Sequence, residues 1–401
     1  MKKLFMLLPL AALVFASCTS ENYENAEDVK IANYPEGAIW FSTGIDATRA
    51  LTTTANFRQF NVTGLHSEAK YAFTNLAVSS ENGTVWSYNT GDTENPYKYW
   101  PADNTDVKFF AYSPASLQAK TTISDAYGKK ITGFQQEVVV ANQVDVLSAT
   151  VTGNKSSNAY TGVTLDFKHA LSQIEIKAKN SNTAEYTVRV LGVKLCRVND
   201  EGDMTFQSVS TDLPTWNNLT GSKSFMKQGS DAKELTNQVQ SIMFGNDNFL
   251  MLPQSLTAWN GSKEDKTGSY LAVLCQIIKN EGQELIFPDT EGKYGFSAVP
   301  IGTKWEVGHK YVYTLDFFGA GDGAGQVDPE PGNAKPDPNA PDPGTGDSPI
   351  DTTPTGGQTT PGGGDSEGGS PIIPNAKSPI KFTVTITDWT NETGDNSVID
   401  L

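Results

Sequence analysis

The sequence is poor in the residues that most catalytic and metal chemistry depends on. Histidine occurs at only three of 401 positions, His66, His169 and His309. None stands at the spacing of H-E-x-x-H, and no C-x-x-C pair occurs, so no metal is expected. No D-x-[DN]-x-[DN]-G loop surrounds Asp103 or Asp106, which argues against a built calcium site. The three cysteines, Cys18, Cys196 and Cys275, are too few for a disulfide framework. A G-x-S-x-G elbow is missing, and His169, between two strand-like runs, has no visible nucleophile beside it and reads as a turn or core histidine. Lysine and arginine never form a block, and the formal charge is -16. Such a chain has no basic face for nucleic acid. Neither a cofactor nor an enzymatic activity is expected, and the acidic exterior suits a secreted surface.

What is present begins at the first residue. Met1-Lys2-Lys3 precedes an apolar run from Leu4 to Ala16, and then Ser17-Cys18. The run is too short for a comfortable permanent span and reads as the h-region of a signal peptide, residues 1–17. Small residues before a cysteine let a signal peptidase approach the backbone closely, which makes Cys18 the expected lipidation site. More than one acyl chain there gives stable anchoring, in an outer membrane with the body exposed at the cell surface. The other reading is an ordinary secretory signal with a chance cysteine. Residues 18–37 are a polar, acidic tether.

Beyond the tether nearly every periodic segment has period two. Ile39, Phe41, Thr43 and Ile45 alternate with Trp40, Ser42 and Gly44. Val107–Tyr112, Leu165–Phe167, Ile174–Ala178, Tyr186–Val198, Tyr270–Ile278, Leu285–Phe287 and Lys310–Phe317 follow, separated by Gly, Asn, Asp and Pro. One short helical patch is expected over Ser230–Val239. The class is all-β, with turns at sandwich-like spacing. Cys196 and Cys275 lie in apolar strand-like runs, which favours buried free thiols over one disulfide. Trp40, Trp86, Trp100 and Trp305 read as core or hairpin residues.

Composition changes over residues 319–379, where Asp-Pro, Pro-Asp and Gly-Gly recur with almost no large apolar residue. This stretch is expected to be a disordered linker. Order returns in the 380–401 segment, where Ile380, Phe382, Val384 and Ile386 alternate with Lys381, Thr383, Thr385 and Thr387. A flexible coil of about sixty residues has an r.m.s. span of roughly 40–45 Å, so this strand could close its own domain or reach another subunit.

Several segments together resemble the fimbrillin family of Bacteroidota. They are Tyr99-Trp100-Pro101 with Val107–Pro114, Asp145–Ala149, Val163–Ile174, Gly308–Leu315 and the Ile380–Trp389 strand. The resemblance implies two tandem transthyretin-like β-sandwich domains, over 38–162 and 163–318, in a pilus (fimbrium) subunit for cell adhesion. It implies a maturation protease of trypsin-like specificity cutting between Arg49 and Ala50, which would remove lipid, tether and first strand together. A neighbouring subunit's strand, Ile380–Ile386 in this chain, would then fill the opened groove. Partners on this reading are other pilus subunits, as a homopolymer or with tip and anchor proteins, the protease, and the outer membrane through the lipid. An uncut loop at Arg49, with the strand kept, is equally compatible with the residues. The long 319–379 insertion departs from the family's shorter connection. Asp351-Thr352-Thr353 resembles an O-glycosylation sequon, with Thr352 as acceptor. The alternative function is a non-polymerising lipoprotein that binds a host or glycan surface through exposed aromatics.

Overall fold

A computed structural model describes residues 34–45, 56–66, 71–124, 128–320, 323–332, 345, 347–352, 368–373, 380–388 and 397–400. In chain order the strands begin with β1 Phe41–Ile45, β2 Gln59–His66, β3 Tyr71–Ser79, β4 Ser87–Tyr88, β5 Val107–Ser113 and β6 Thr121–Ser124. Next come β7 Gly128–Gln135, β8 Leu147–Gly153, β9 Val163–His169, β10 Ser172–Asn180, β11 Tyr186–Val198 and β12 Glu201–Thr205. Then follow β13 Thr215–Thr220, β14 Lys223–Glu234, β15 Gln240–Ser241, β16 Phe249–Met251, β17 Tyr270–Lys279 and β18 Glu284–Phe287. The last are β19 Gly295–Pro300, β20 His309–Phe317, β21 Gln326–Val327, β22 Lys381–Asp388 and β23 Ser397–Asp400. The one α-helix among the described residues is a single turn, Lys155–Asn158, capped by the Asn154 side chain, which accepts from the Ser157 N–H at 3.0 Å.

The strands form four sheets. The first runs β1-β9-β8-β5-β2-β3-β4, and a smaller sheet, β13-β12-β7-β6, lies beside it. Two further sheets, β15-β10-β20-β22-β23 and β14-β11-β17-β19-β21, face one another across the largest core. The fold is therefore all-β, and its layers are packed sheets.

Side-chain alternation explains each face. β10 buries every second residue from Ile174 onward, as a strand covered on one side should. β17 differs. Leu271, Val273, Cys275 and Ile277 enter the largest core, while Tyr270, Ala272 and Leu274 enter a separate cluster on the opposite face with Trp259 and Ile350. Burial on both faces accounts for the unbroken apolar run Tyr270–Cys275. The first sheet is likewise covered twice. Phe41, Phe60, Phe109 and Phe167 meet on one face, and Leu65, Phe110 and Tyr112 pack on the other against Ile131, Phe134 and Met204 of the smaller sheet.

One expectation needs correction. The patch at Ser230–Val239 is not helical: β14 runs through Glu234, with Lys233 opposite Val190 of β11. Its pairing with a long neighbouring strand overrides a weak local period. β9, which begins at Val163, pairs with β1 and with β8 in the first sheet. Part of residues 319–379 lies among the described residues. Their described parts are packed: Val327, Ile350 and Ile372 are buried and β21 adds to the edge of β19. Isolated apolar residues in a Pro/Gly-rich stretch carry no period, yet Val327 and Ile372 join the largest core and Ile350 joins the cluster on the opposite face of β17.

Candidate functional site: the terminal strands and an aromatic cleft

β1 lies at the end of its sheet and is bonded along one side, parallel to β9, with Phe41 opposite Val163 and Ile45 opposite Phe167. It brings two apolar anchors inward, Ile39 just ahead of it and Phe41 within it, 0% and 3% exposed. The Phe41 ring meets Phe109, Phe60, Tyr88 and Phe73 edge-on at centroid distances of 5.7, 6.1, 6.3 and 6.5 Å. Burying an anchor of this size contributes about 2–3 kcal/mol. The approach to β1 is fixed by Ile39 N–H donating to the Lys98 carbonyl at 2.7 Å. The Tyr88 hydroxyl donates to the Ile39 carbonyl at 2.7 Å, and burial pushes the Tyr88 pKa well up.

Trp40 takes the other face. Gly162 approaches it so closely that a Cβ there would stand 2.6 Å from the indole ring, and the φ of +74° at Gly162 also favours glycine. Trp40 lines a cleft of about 400 Å³ with Tyr34, Glu36, Asn104, Lys155 and Tyr160. Tyr160 is 76% exposed, and the half-buried Trp40 Nε1 has no hydrogen-bond partner. The Tyr34 hydroxyl donates to the Trp86 carbonyl at 3.2 Å and is pushed up to about 12 by burial. Trp86, Trp100 and Trp305 are core residues, as their neighbours in sequence suggest. Sequence reading missed the cleft because Tyr34, Asn104 and Tyr160 come from three separate loops.

At the far end of the chain β22 lies antiparallel to β20 of the same chain, with Phe382 opposite Leu315, Val384 opposite Tyr313 and Ile386 opposite Tyr311. Ile380 and Val384 are buried, while Phe382 and Ile386 pack half-buried on the same core. β23 pairs with the free side of β22. Of the other residues singled out, Cys18, Arg49 and Ala50 lie outside the described residues. Thr352 is half-buried, and its neighbour Asp351 is held by the Thr290 hydroxyl at 2.6 Å and by its own N–H on the Tyr294 carbonyl at 2.8 Å.

His169 Nδ1 pairs with Asp145 at 3.0 Å, both side chains 1% exposed. The pair sits where β9 turns toward β10 and braces that turn. Cys196 and Cys275 are free thiols, both buried. Among the described residues no three His, Cys, Asp or Glu side chains group where they could hold a metal ion.

Packed β-sheets, with β1 at the end of one and β22 paired to β20 in another, define a β-sandwich class of fold. Residues 48–328 match the Fimbrillin-like family model, and the chain belongs to that family. No functionally curated protein matches the chain. Among solved structures it is similar to a fimbrial protein of Bacteroides vulgatus, with 15% identity and a TM-score of 0.45 over 70% of this chain and 94% of that one. It is also similar to a proposed cell adhesion protein of Bacteroides uniformis, with 18% identity and a TM-score of 0.40 over 70% and 94%. A proposed cell adhesion protein of Bacteroides eggerthii aligns at 13% identity with a TM-score of 0.43 over 89% and 98%.

Proposed function

We propose that this chain is a pilus or adhesion subunit of the cell surface, exported as a lipoprotein on Cys18 and assembled by strand exchange. The observation that carries the reading is β1: an edge strand, bonded on one side, that seats Ile39 and Phe41 in the first core. Its loss would leave the β9 edge unpaired and an apolar groove beneath it, which an incoming strand would satisfy. Arg49 follows β1 by four residues, so a cut between Arg49 and Ala50 would release lipid, tether and strand together. Ile380, just ahead of β22, and Phe382, Val384 and Ile386 within it alternate in the pattern such a groove accepts, and β22 is paired with β20 of its own chain. Donation would therefore require β22 to leave that pairing first. The partners on this reading are other subunits, the maturation protease and the outer membrane.

N-terminal sequencing of the protein from intact cells tests the maturation step. A chain starting at Ala50, forming SDS-resistant ladders after limited trypsin treatment, is the expected result. A chain blocked at Cys18 and remaining monomeric would overturn it.

A second reading is favoured by the Trp40 cleft. Indole and phenol rings beside amide, carboxylate and ammonium groups suit a saccharide, whose ring has apolar faces and a hydroxyl rim. Retardation on polysaccharide gels by a monomer, lost in Trp40→Ala, would support a glycan-binding lipoprotein. The Thr352 acceptor remains part of the proposal as well, and its test is a glycopeptide spanning Asp351–Thr353.

A further inference from the structure

On the outer face of β11 and β17, a lysine and an aspartate are sealed together away from water. Lys194 and Asp328 are both 0% exposed. Val193 and Leu195 point into the largest core, so Lys194 takes the opposite face of β11, as Cys196 does. Asp328 directly follows β21, and its N–H donates to the Phe296 carbonyl at 3.0 Å.

The two carboxyl oxygens of Asp328 are treated differently. Oδ1 accepts from the Tyr270 hydroxyl at 2.8 Å and from the Glu330 N–H at 2.8 Å. Oδ2 stands 2.5 Å from Lys194 Nζ as an ion pair. Nζ also donates to the Glu330 carbonyl at 3.1 Å and lies 4.2 Å from the centre of the Phe296 ring. Burial works against charge on the lysine, and the adjoining Asp328 more than offsets it, so the Lys194 pKa is raised. A buried ion pair normally earns its place through well-directed hydrogen bonds. Here Oδ1 has two donors, while Oδ2 faces the lysine. A nitrogen this near a carboxyl oxygen also approaches the carboxyl carbon, and reacting atoms need roughly 3–3.5 Å.

We propose that Lys194 and Asp328 condense into an amide, an internal cross-link between β11 and the segment after β21. The lysine passes one proton to Oδ2, which leaves a neutral amine facing a neutral carboxylic acid. The amine lone pair attacks Cγ, and the carbonyl electrons move to Oδ1, where the Tyr270 hydroxyl and the Glu330 N–H hold the developing charge. Nζ gives a second proton to Oδ2. The Cγ–Oδ2 bond breaks and Oδ2 leaves as water, with no change of oxidation state and no co-reactant. The product replaces two buried charges by a neutral amide, removing their desolvation cost. The cross-link spans β17 and β19, which lie between β11 and β21 in the sheet. Around it, Arg197 binds Glu330 at 2.8 Å and donates to the Asp265 carbonyl at 2.7 Å, which holds the returning segment in place.

Intact-mass and tandem mass spectrometry on the secreted chain, its N-terminus read independently, provide the test. The expected mass is one water below that of the sequence, with a branched peptide joining the Lys194 and Asp328 fragments. Lys194→Arg and Asp328→Ala should show the full mass. If either fails to fold, Tyr270→Phe retains the ring and both reacting groups, and its freshly folded protein should lose water measurably more slowly. A folded wild-type chain that keeps its full mass on prolonged incubation overturns the proposal, as does a water loss mapped to any other residue.

Discussion

Phe41 and Phe109 meet edge to face, their ring centroids 5.7 Å apart and their planes at 85°. The contact ties an edge strand to β5, an interior strand of the first sheet. Phe41→Ala should therefore destabilise the protein by about 3–5 kcal/mol, the range for removing a buried phenylalanine. Urea denaturation measures it, and an unchanged midpoint would mean that β1 contributes nothing to the first core.

The two thiols are expected to be inert. Burial pushes Cys196 up to about 12 and raises Cys275 as well. A thiol reacts as its thiolate, which forms only as pH rises toward the pKa, so at pH 8 almost none is present. Iodoacetamide should label neither cysteine in the folded protein and both in urea, counted by mass. Labelling of the folded chain would show that one of these strands opens.

Gly162 and Trp40 make a separate test of the cleft. Gly162→Ala adds a methyl group 2.6 Å from the indole at a φ of +74°. Overpacking of this kind costs about 1–3 kcal/mol. Tryptophan emission should shift as the ring moves, and binding of any polysaccharide retained by the wild type should weaken. Retention of both wild-type emission and stability would mean that the ring has room to turn.

The strands were legible where alternation was regular, as in Ile174–Ala178 or Ile380–Ile386, because period two follows from the geometry of the chain itself. What escaped was set by partners distant in sequence. β9 joins the first sheet through β1 and β8, which no local pattern announces. Ser230–Glu234 is a strand because β11 is there to pair with it. Lys194 stands within the strand-like run Tyr186–Val198, where nothing local marks it. Its burial depends on Asp328, 134 residues later, in a segment whose composition suggested no structure. The cleft was illegible for the same reason. Its aromatics carry no spacing, and only folding brings Tyr34 and Tyr160 to Trp40.

The packed parts of residues 319–379 yield the last prediction. Ile372 is 0% exposed, and its N–H donates to the Gly325 carbonyl at 3.1 Å. Val327 donates to the Ser370 carbonyl at 2.8 Å, and Gly369 donates back to the Val327 carbonyl at 2.8 Å, so residues 368–372 clamp β21 against β19. Ile372→Ser removes the apolar anchor and buries a hydroxyl in its place, at a cost of about 2–4 kcal/mol. The variant should be cut by a broad-specificity protease between residues 323 and 332 well before the largest core is attacked. Wild-type protein should resist there while the clamp is closed. Equal cutting of the two proteins in that interval would mean that the clamp does not persist in solution, and the Lys194–Asp328 contact would lose the element that holds it shut.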